Sequence, residues 1–529
     1  MGFQPDPQIP ITPVEETAKS SINSDWQNIL TAAKGGGVSF AGRIIEYVIR
    51  FAFGIFIARV VGVEQYGLYT LAITVSLIAT NIAMLGLQTG MVRFLPAAIR
   101  EKDDQTAWGI IQVSVGIPLI FSLILAGGLL ILADPLAGLL FQDTRMVPLL
   151  RIASLLIPLD TLSSMAYVIT ISYKQPQYSV ITDNILAPLI KLLLAASFLA
   201  IGLSTQGILF AQLIASLTAL LVLIYFVNSL FPLRRTLGSA TKHLKKLIRY
   251  SLPVYLGWIV NTLQSTFTTL ALGFLGLATG VGVYTAASRF SLIGSMFYLS
   301  VGNISTPIFA DLHSQGNTAQ MKAYYQTTAR WLLMFNIPVF LTSVLYAKPL
   351  LWLFGDDFTA GVSSMIILAF GTLAYTSTGL GANILDMTDH PKVNSINSLI
   401  MVFILIFLNI LLVPRWEVLG AALATSISIV LVNVISLIEV WILLRMQPYN
   451  RSLLKPILAG LVAGSIAALI NHFFSLSYFL QLIVGGGMLW FVYLGLLFLF
   501  KLPHDDMLVV ERALVKIRAK SPFNHFGKK

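Results

Sequence analysis

GLYTLA at 67–72 returns as GVYTAA at 282–287, and PLAGLLFQD at 135–143 returns as PLLWLFGDD at 349–357. Pro176 and Pro391 recur at the same spacing, and Gly207 with Ala211 maps onto Gly420 with Ala424. Four matches in one order, each about 214 residues apart, are more than apolar composition produces by chance. The chain reads as one hydrophobic plan written twice.

The chain has 529 residues, of which 56% are hydrophobic and only 11% charged. Ordinary soluble proteins carry about 25% charged residues. About fourteen stretches reach the roughly 20 apolar residues that a membrane-crossing helix needs. They begin near residues 38, 67, 107, 147, 180, 205, 250, 281, 329, 362, 393, 418, 452 and 477. The stretches are long and continuous, so they predict helices and not the alternating strands of a barrel. The expected fold is therefore all-α and polytopic, with two pseudo-symmetric six-helix bundles followed by two C-terminal helices. In residues, this gives a cytoplasmic tail at 1–34 and a first bundle at 35–232. A basic linker follows at 233–249, then a second bundle at 250–446, two further membrane helices at 447–501 and a basic tail at 502–529. Internal duplication in a polytopic protein is the common build of a secondary transporter, with the substrate site where the halves meet.

A net charge of +11 would suit a nucleic-acid binder, but its distribution excludes one. With the N-terminus in the cytoplasm, about 24 of the Lys and Arg residues fall on the cytoplasmic side and about four outside, as the positive-inside rule requires. Those outside are Arg59, Arg145, Lys348 and Arg415. Both termini then face the cytoplasm of a cell membrane. The densest basic run, RRTLGSATKHLKKLIR at 234–249, suits anionic lipid headgroups. Residues 1–34 carry Pro5, Pro7, Pro10 and Pro13 and read as a polar tail, not a cleavable signal. Residues 503–520 place Met507, Val510, Leu514 and Ile517 on one helical face, as a surface-lying helix would. There is no cysteine, and the six histidines (243, 313, 390, 472, 504 and 525) have no ligand spacing. No metal centre, cofactor or catalytic group is expected.

An ionisable group at mid-membrane costs about 2.5–3.5 kcal/mol or more, so it usually faces a cavity or a partner. Arg43, Glu46 and Arg50 share one face of the first span, at spacings of 3 and 4. Asn261, Gln264, Ser265 and Thr268 form the repeat-related stripe of the seventh span. Arg289 lies within the eighth span, and Arg93 at the end of the second. Arginine stays charged at any relevant pH and grips phosphate oxygens in pairs, so this set predicts a cavity for an anionic, phosphate-bearing substrate. The competing reading pairs Glu46 with one arginine as packing glue. Glu46 and Asp160 are candidate carriers of a coupling H⁺ or Na⁺, with Asp160 alternatively bonded to Ser163 or Ser164. Lys191 is either a cavity cation or the partner of Asp183, and Glu439, near Arg445, reads as structural. Glycines 54, 86, 90, 273, 276, 280 and 282 permit close contact or bending, and prolines 118, 158, 188, 253 and 338 favour kinks.

GRIIEYVIRFAFGIFIARVVGVEQYGLYTLA at 42–72, LLWLFGDDF at 350–358 and LNILLVPRWEVLGAALATSIS at 408–428 resemble segments of the Wzx-type polysaccharide flippases, over roughly residues 30–500. That resemblance implies the polysaccharide transport family within the MOP superfamily, beside the MATE exporters and lipid II flippases. It also implies two six-helix bundles facing each other in a V. The expected substrate is an undecaprenyl-diphosphate-linked oligosaccharide, turned from the cytoplasmic to the outer leaflet by alternating access. Cationic residues in the first, second and eighth spans line the cavity in related flippases, which carries over to Arg43, Arg50, Arg93 and Arg289. Membrane lipids and other polysaccharide-assembly proteins are the remaining expected partners. The main rival is a cation-coupled small-molecule exporter of the MATE type, for which a carboxylate-rich cavity would be expected. A membrane polymerase or glycosyltransferase would need catalytic groups in a large external loop, and the external loops here are short.

Overall fold

The computed structural model describes the backbone of residues 13–231, 244–473 and 477–500, with side chains from residue 45 onward apart from 244 and 246. The described residues are helical almost throughout. The main helices are α1 (Pro13–Ala83), α2 (Leu87–Arg100), α3 (Asp104–Ile131), α4 (Met146–Ser172), α5 (Pro176–Ala200), α6 (Thr205–Leu230) and α7 (Leu244–Phe274). They continue as α8 (Ala278–Ser314), α9 (Thr318–Leu345), α10 (Asp356–Met387), α11 (Pro391–Leu444), α12 (Leu454–Phe473) and α13 (Tyr478–Leu499).

Among the described residues, ten helices are long and apolar enough to cross a bilayer. The count is eleven when Ile45–Ala83 and Leu87–Arg100, bent by 48°, form one broken span. The sequence suggests about fourteen, and the difference has local causes. Gly62, at φ 82° and ψ 171°, interrupts α1, while Glu417, at φ 46°, interrupts the 54-residue α11. At the second break the chain doubles back: a β-carbon on Gly420 would lie 2.3 Å from the Leu412 carbonyl oxygen. Gly420 is therefore needed there for close approach. Its repeat mate Gly207 has the same task, since a β-carbon there would lie 2.7 Å from the Leu203 β-carbon and 3.0 Å from that of Phe198. The remaining difference is α7, which is long but carries the polar stripe.

The contacts divide the chain into two compact units. The first comprises residues 1–53, 79–131 and 151–255. Its core gathers Met84, Leu87, Met91, Leu95, Ile110, Ile111, Met165, Ile169, Leu223 and Val227. Trp108 stacks on Phe231 and Tyr178 on Phe226, so aromatic faces close the gaps between helices.

The second unit comprises residues 54–78, 132–150 and 256–529. One core cluster joins α8, α9, α10 and α11 through Tyr298, Phe309, Tyr325, Leu332, Ile384 and Val440. Another seats α12 and α13 on α9 through Ile337, Ala459, Ala463 and Tyr493. Small residues set that approach: Gly460 and Gly464 lie against Ile337 and Leu341. Arg330, only 4% exposed on α9, donates to Ser452 Oγ at 2.9 Å and ties the loop before α12 to the bundle. Large apolar side chains such as Phe403, Phe407 and Phe491 stay exposed, as lipid-facing positions require.

Candidate functional site

In the first unit, α1, α4 and α5 bring their ionisable residues together, and α6 adds polar ones. Glu46 Oε1 accepts from Arg50 Nε at 2.8 Å, one helical turn away. The pairing weighed against a cavity role is thus made, although the Arg50 side chain remains 66% exposed. Asp183 lies within electrostatic reach of Glu46, Arg50 and Asp160. Asp160 accepts a hydrogen bond from Ser216 of α6 and not from Ser163 or Ser164 of its own helix. Gln212 Nε2 donates in turn to Ser216 Oγ at 3.2 Å. The Ser163 hydroxyl is buried without a hydrogen-bond partner among the described residues. Lys191 sets its ammonium 4.3 Å from the Phe53 ring centre and interacts electrostatically with Asp160. The result is a mixed network of three carboxylates and two cations from α1, α4 and α5, joined by two polar side chains of α6. Sequence reasoning singled out Glu46 and Asp160 for coupling and missed that Asp183 joins them. Spacing along one helix cannot reveal a partner on another.

Arg93 is exposed, with its guanidinium carbon 4.2 Å from the Tyr250 ring centre and 5.7 Å from that of Phe94. That geometry suits a cation held at a helix end by aromatic faces. The side chain of Arg43 lies outside the described residues, as do the C-terminal helix expected at 503–520 and much of the basic run at 234–249.

In the second unit, the polar stripe of α7 splits into two parts. Asn261 and Ser265 are exposed and, among the described residues, bond back along their own helix, to the Gly257 and Thr262 carbonyls. Gln264 donates to the Ser398 carbonyl at 3.2 Å. Thr268 is buried, contacting Thr425 at 3.1 Å and accepting from Asn409 at 3.2 Å. Tyr284 completes that network with a 2.9 Å contact to Thr425. The first part of the stripe is open and hydrophilic, and the second is packing glue.

Arg289 is half-buried on α8. Its guanidinium carbon lies 5.9 Å from the ring centre of Tyr66, a fully buried side chain. A β-carbon on Gly54 would meet Arg289 Nη1 at 2.2 Å and Cζ at 2.7 Å. Nearby, the duplicated motifs pack reciprocally. A β-carbon on Gly67 would fall 1.8 Å from the Ala278 carbonyl oxygen, and one on Gly282 would fall 2.2 Å from that of Val63. The second pair of repeats joins the same seam: Phe141 meets Phe274 at 5.7 Å, and Arg59 reaches the Leu353 carbonyl and the Trp352 ring. Arg145 closes the exposed rim, bonding Glu64 at 2.6 Å and Asp143 at 2.8 Å. That guanidinium holds the Asp143 carboxyl below the usual carboxylate range.

The family profile described as polysaccharide biosynthesis protein matches residues 32–313, more than half of the chain. A second profile, MatE, matches residues 253–413. The succinoglycan biosynthesis transport protein ExoT of Rhizobium meliloti is 27% identical over 363 residues, covering 66% of this chain and 68% of ExoT. AglR, a probable flippase of Haloferax volcanii, is 26% identical over 264 residues, covering 48% of this chain and 52% of AglR. The solved lipid II flippase MurJ, in its inward closed conformation, superposes with a TM-score of 0.71 at 17% identity, covering 90% of this chain and all of MurJ. That likeness fixes the fold alone. The helices, the duplicated motifs and the matching profile agree: the chain belongs to the polysaccharide biosynthesis protein family and has the fold of a multi-pass membrane protein.

Proposed function

We propose that the protein is a flippase that carries a lipid-diphosphate-linked oligosaccharide from the cytoplasmic to the outer leaflet by alternating access. The observation that carries this reading is Arg289, a permanently charged guanidinium half-buried within an apolar span and positioned by a glycine and a buried ring. Such a cation suits a diphosphate, which it can grip through two oxygens at once. Arg43 and Arg93 add positive potential under this proposal. Arg50, paired with Glu46, contributes less than its formal charge. Asn261 and Gln264 would hydrate and bond the sugar. The division into bundles at 35–232 and 250–446, with both termini cytoplasmic, belongs to the same proposal and rests on the repeats and the loop charges. The names of ExoT and AglR support the substrate class.

Energy would enter through the first-unit network, in which Glu46 and Asp160, with Asp183, take up a proton or Na⁺. The rival small-molecule exporter draws support from those same carboxylates, but Arg50 and Lys191 offset much of their charge. The experiment uses vesicles in which a lipid-diphosphate-linked sugar is built on the cytoplasmic face. Its appearance on the opposite leaflet is followed with an impermeant lectin. The reading requires appearance that depends on this protein. Equal rates with and without it, together with drug export by the protein, would favour the rival.

A further inference from the structure

We propose that Gly54 and Tyr66 are positioning residues for Arg289, forming a seat that exists only while the Gly67–Ala278 and Gly282–Val63 contacts are closed. The proposal rests on the reading of Arg289 as the phosphate-binding cation and adds what governs that cation.

The geometry starts at the break in α1. Gly54 and Tyr66 are twelve residues apart, a separation of about 18 Å along a straight helix. The interruption at Gly62 redirects the chain between them, and both then reach one guanidinium. Gly54 supplies room: its missing side chain is the space that Nη1, Cζ and Nη2 fill, at 2.2, 2.7 and 3.2 Å from a β-carbon placed there. Tyr66 supplies an electron-rich face at 5.9 Å and a buried hydroxyl that interacts with the same guanidinium.

Closure of the seam and the seat are one packing event. Ala278, Gly282 and Arg289 are spaced by 4 and 7 residues, which places all three on the same face of α8. That face meets α1 at Val63 and Gly67, backbone against backbone. Separating the two helices there must withdraw Gly54 and Tyr66 from the guanidinium. Under the proposed topology this seam lies on the outer side. The cation is then held in position while the outer end is shut and loses its support when that end opens. A diphosphate would be bound firmly from the cytoplasm and released outward, the order that export needs.

The test uses the full chain in lipid nanodiscs, with a short-chain prenyl diphosphate as the probe. Gly54→Ala displaces only the tip of a flexible side chain, so the fold should survive. It should weaken binding about tenfold, as should Tyr66→Leu, while Tyr66→Phe, which keeps the ring, stays within about threefold. In an Arg289→Lys background the displaced atoms are absent, so Gly54→Ala should add less than about twofold. The same loss from Gly54→Ala in both backgrounds, or unchanged binding by Gly54→Ala and Tyr66→Leu, would overturn the seat. A protein whose seam is fixed by an oxidised Gln142→Cys/Gly276→Cys pair should bind the probe as tightly as the parent, and weakened binding there would overturn the link to closure. Unchanged binding by Arg289→Ala would end both this proposal and the docking role. Loss in Arg289→Ala without loss in Gly54→Ala would end the seat alone.

Discussion

Gly67 and Gly282, equivalent positions of the two repeats, each press their helix onto a backbone carbonyl of the other repeat: Gly67 onto Ala278 and Gly282 onto Val63. The carbonyl-bearing residues are themselves equivalent, since both pairs are separated by the repeat length. The glycines of the duplicated GxYTxA motif thus meet at one seam. Backbone cannot step aside as a side-chain tip can, so Gly67→Val or Gly282→Val should cost about 1–3 kcal/mol by overpacking. Thermal unfolding in nanodiscs would read this. Both variants should fall together, and a variant as stable as the parent would contradict the reciprocal packing.

The seam also offers a reversible lock. A β-carbon on Gly276 would lie 3.6 Å from that of Gln142, within the range a disulfide needs; Gly276 sits at φ 69°, so the Gln142→Cys/Gly276→Cys protein in its reduced form is the reference for any strain the cysteines add. Gln142→Cys/Gly276→Cys should stop transport when oxidised and regain it on reduction. Transport that continues with the bond formed would show that the seam does not open during the cycle.

Much of this was legible in the sequence. The repeats marked the duplicated build and the apolar stretches marked the helices, but that the two GxYTxA copies meet was visible only in space. Arg289 stood out through the cost of burying charge in an apolar span. The boundaries near Gly62 and Glu417 were legible, since spans are expected to begin near residues 67 and 418, but the irregular backbone that makes each break was not, because hydropathy carries no dihedral information. Arg330 was missed for a related reason: α9 begins at Thr318, well before its apolar stretch, which places Arg330 inside the bundle. The partner of Asp160 was misassigned because Ser163 and Ser164 are near in sequence, whereas Ser216 is near only in space.

Arg330 gives a stability prediction. Ser452→Ala removes a charge-assisted hydrogen bond from a buried guanidinium and should cost about 1–3 kcal/mol. Because that bond anchors the loop before α12, limited proteolysis should cut the 445–453 region faster in the variant. Unchanged proteolysis would contradict the anchoring role.

Asp143 gives a pH prediction. Its carboxyl is held below the ordinary range by Arg145, so the folded state favours the charged form. The stabilisation is full above the ordinary carboxylate pKa of about 3.9 and is lost as pH falls through the depressed value. The difference in unfolding midpoint between parent and Asp143→Asn should therefore be constant from about pH 5 to 8 and shrink below about pH 4. A difference that varies within the neutral range would point to another group.

Asp160 tests coupling. Asp160→Asn keeps the shape and the neighbouring Ser216 but cannot exchange a charge. Flux in that variant should lose its dependence on an imposed H⁺ or Na⁺ gradient while still responding to the substrate gradient. Retained gradient dependence would place coupling elsewhere.

The central claim is that a fixed guanidinium on α8 docks a diphosphate headgroup. Its most direct measurement is the initial rate at which lipid-diphosphate-linked sugar crosses vesicles containing parent, Arg289→Ala or Arg289→Lys protein at matched abundance. The account predicts a loss of at least about tenfold for Arg289→Ala and an intermediate rate for Arg289→Lys, which keeps the charge but not the fork. Equal rates in all three would contradict it.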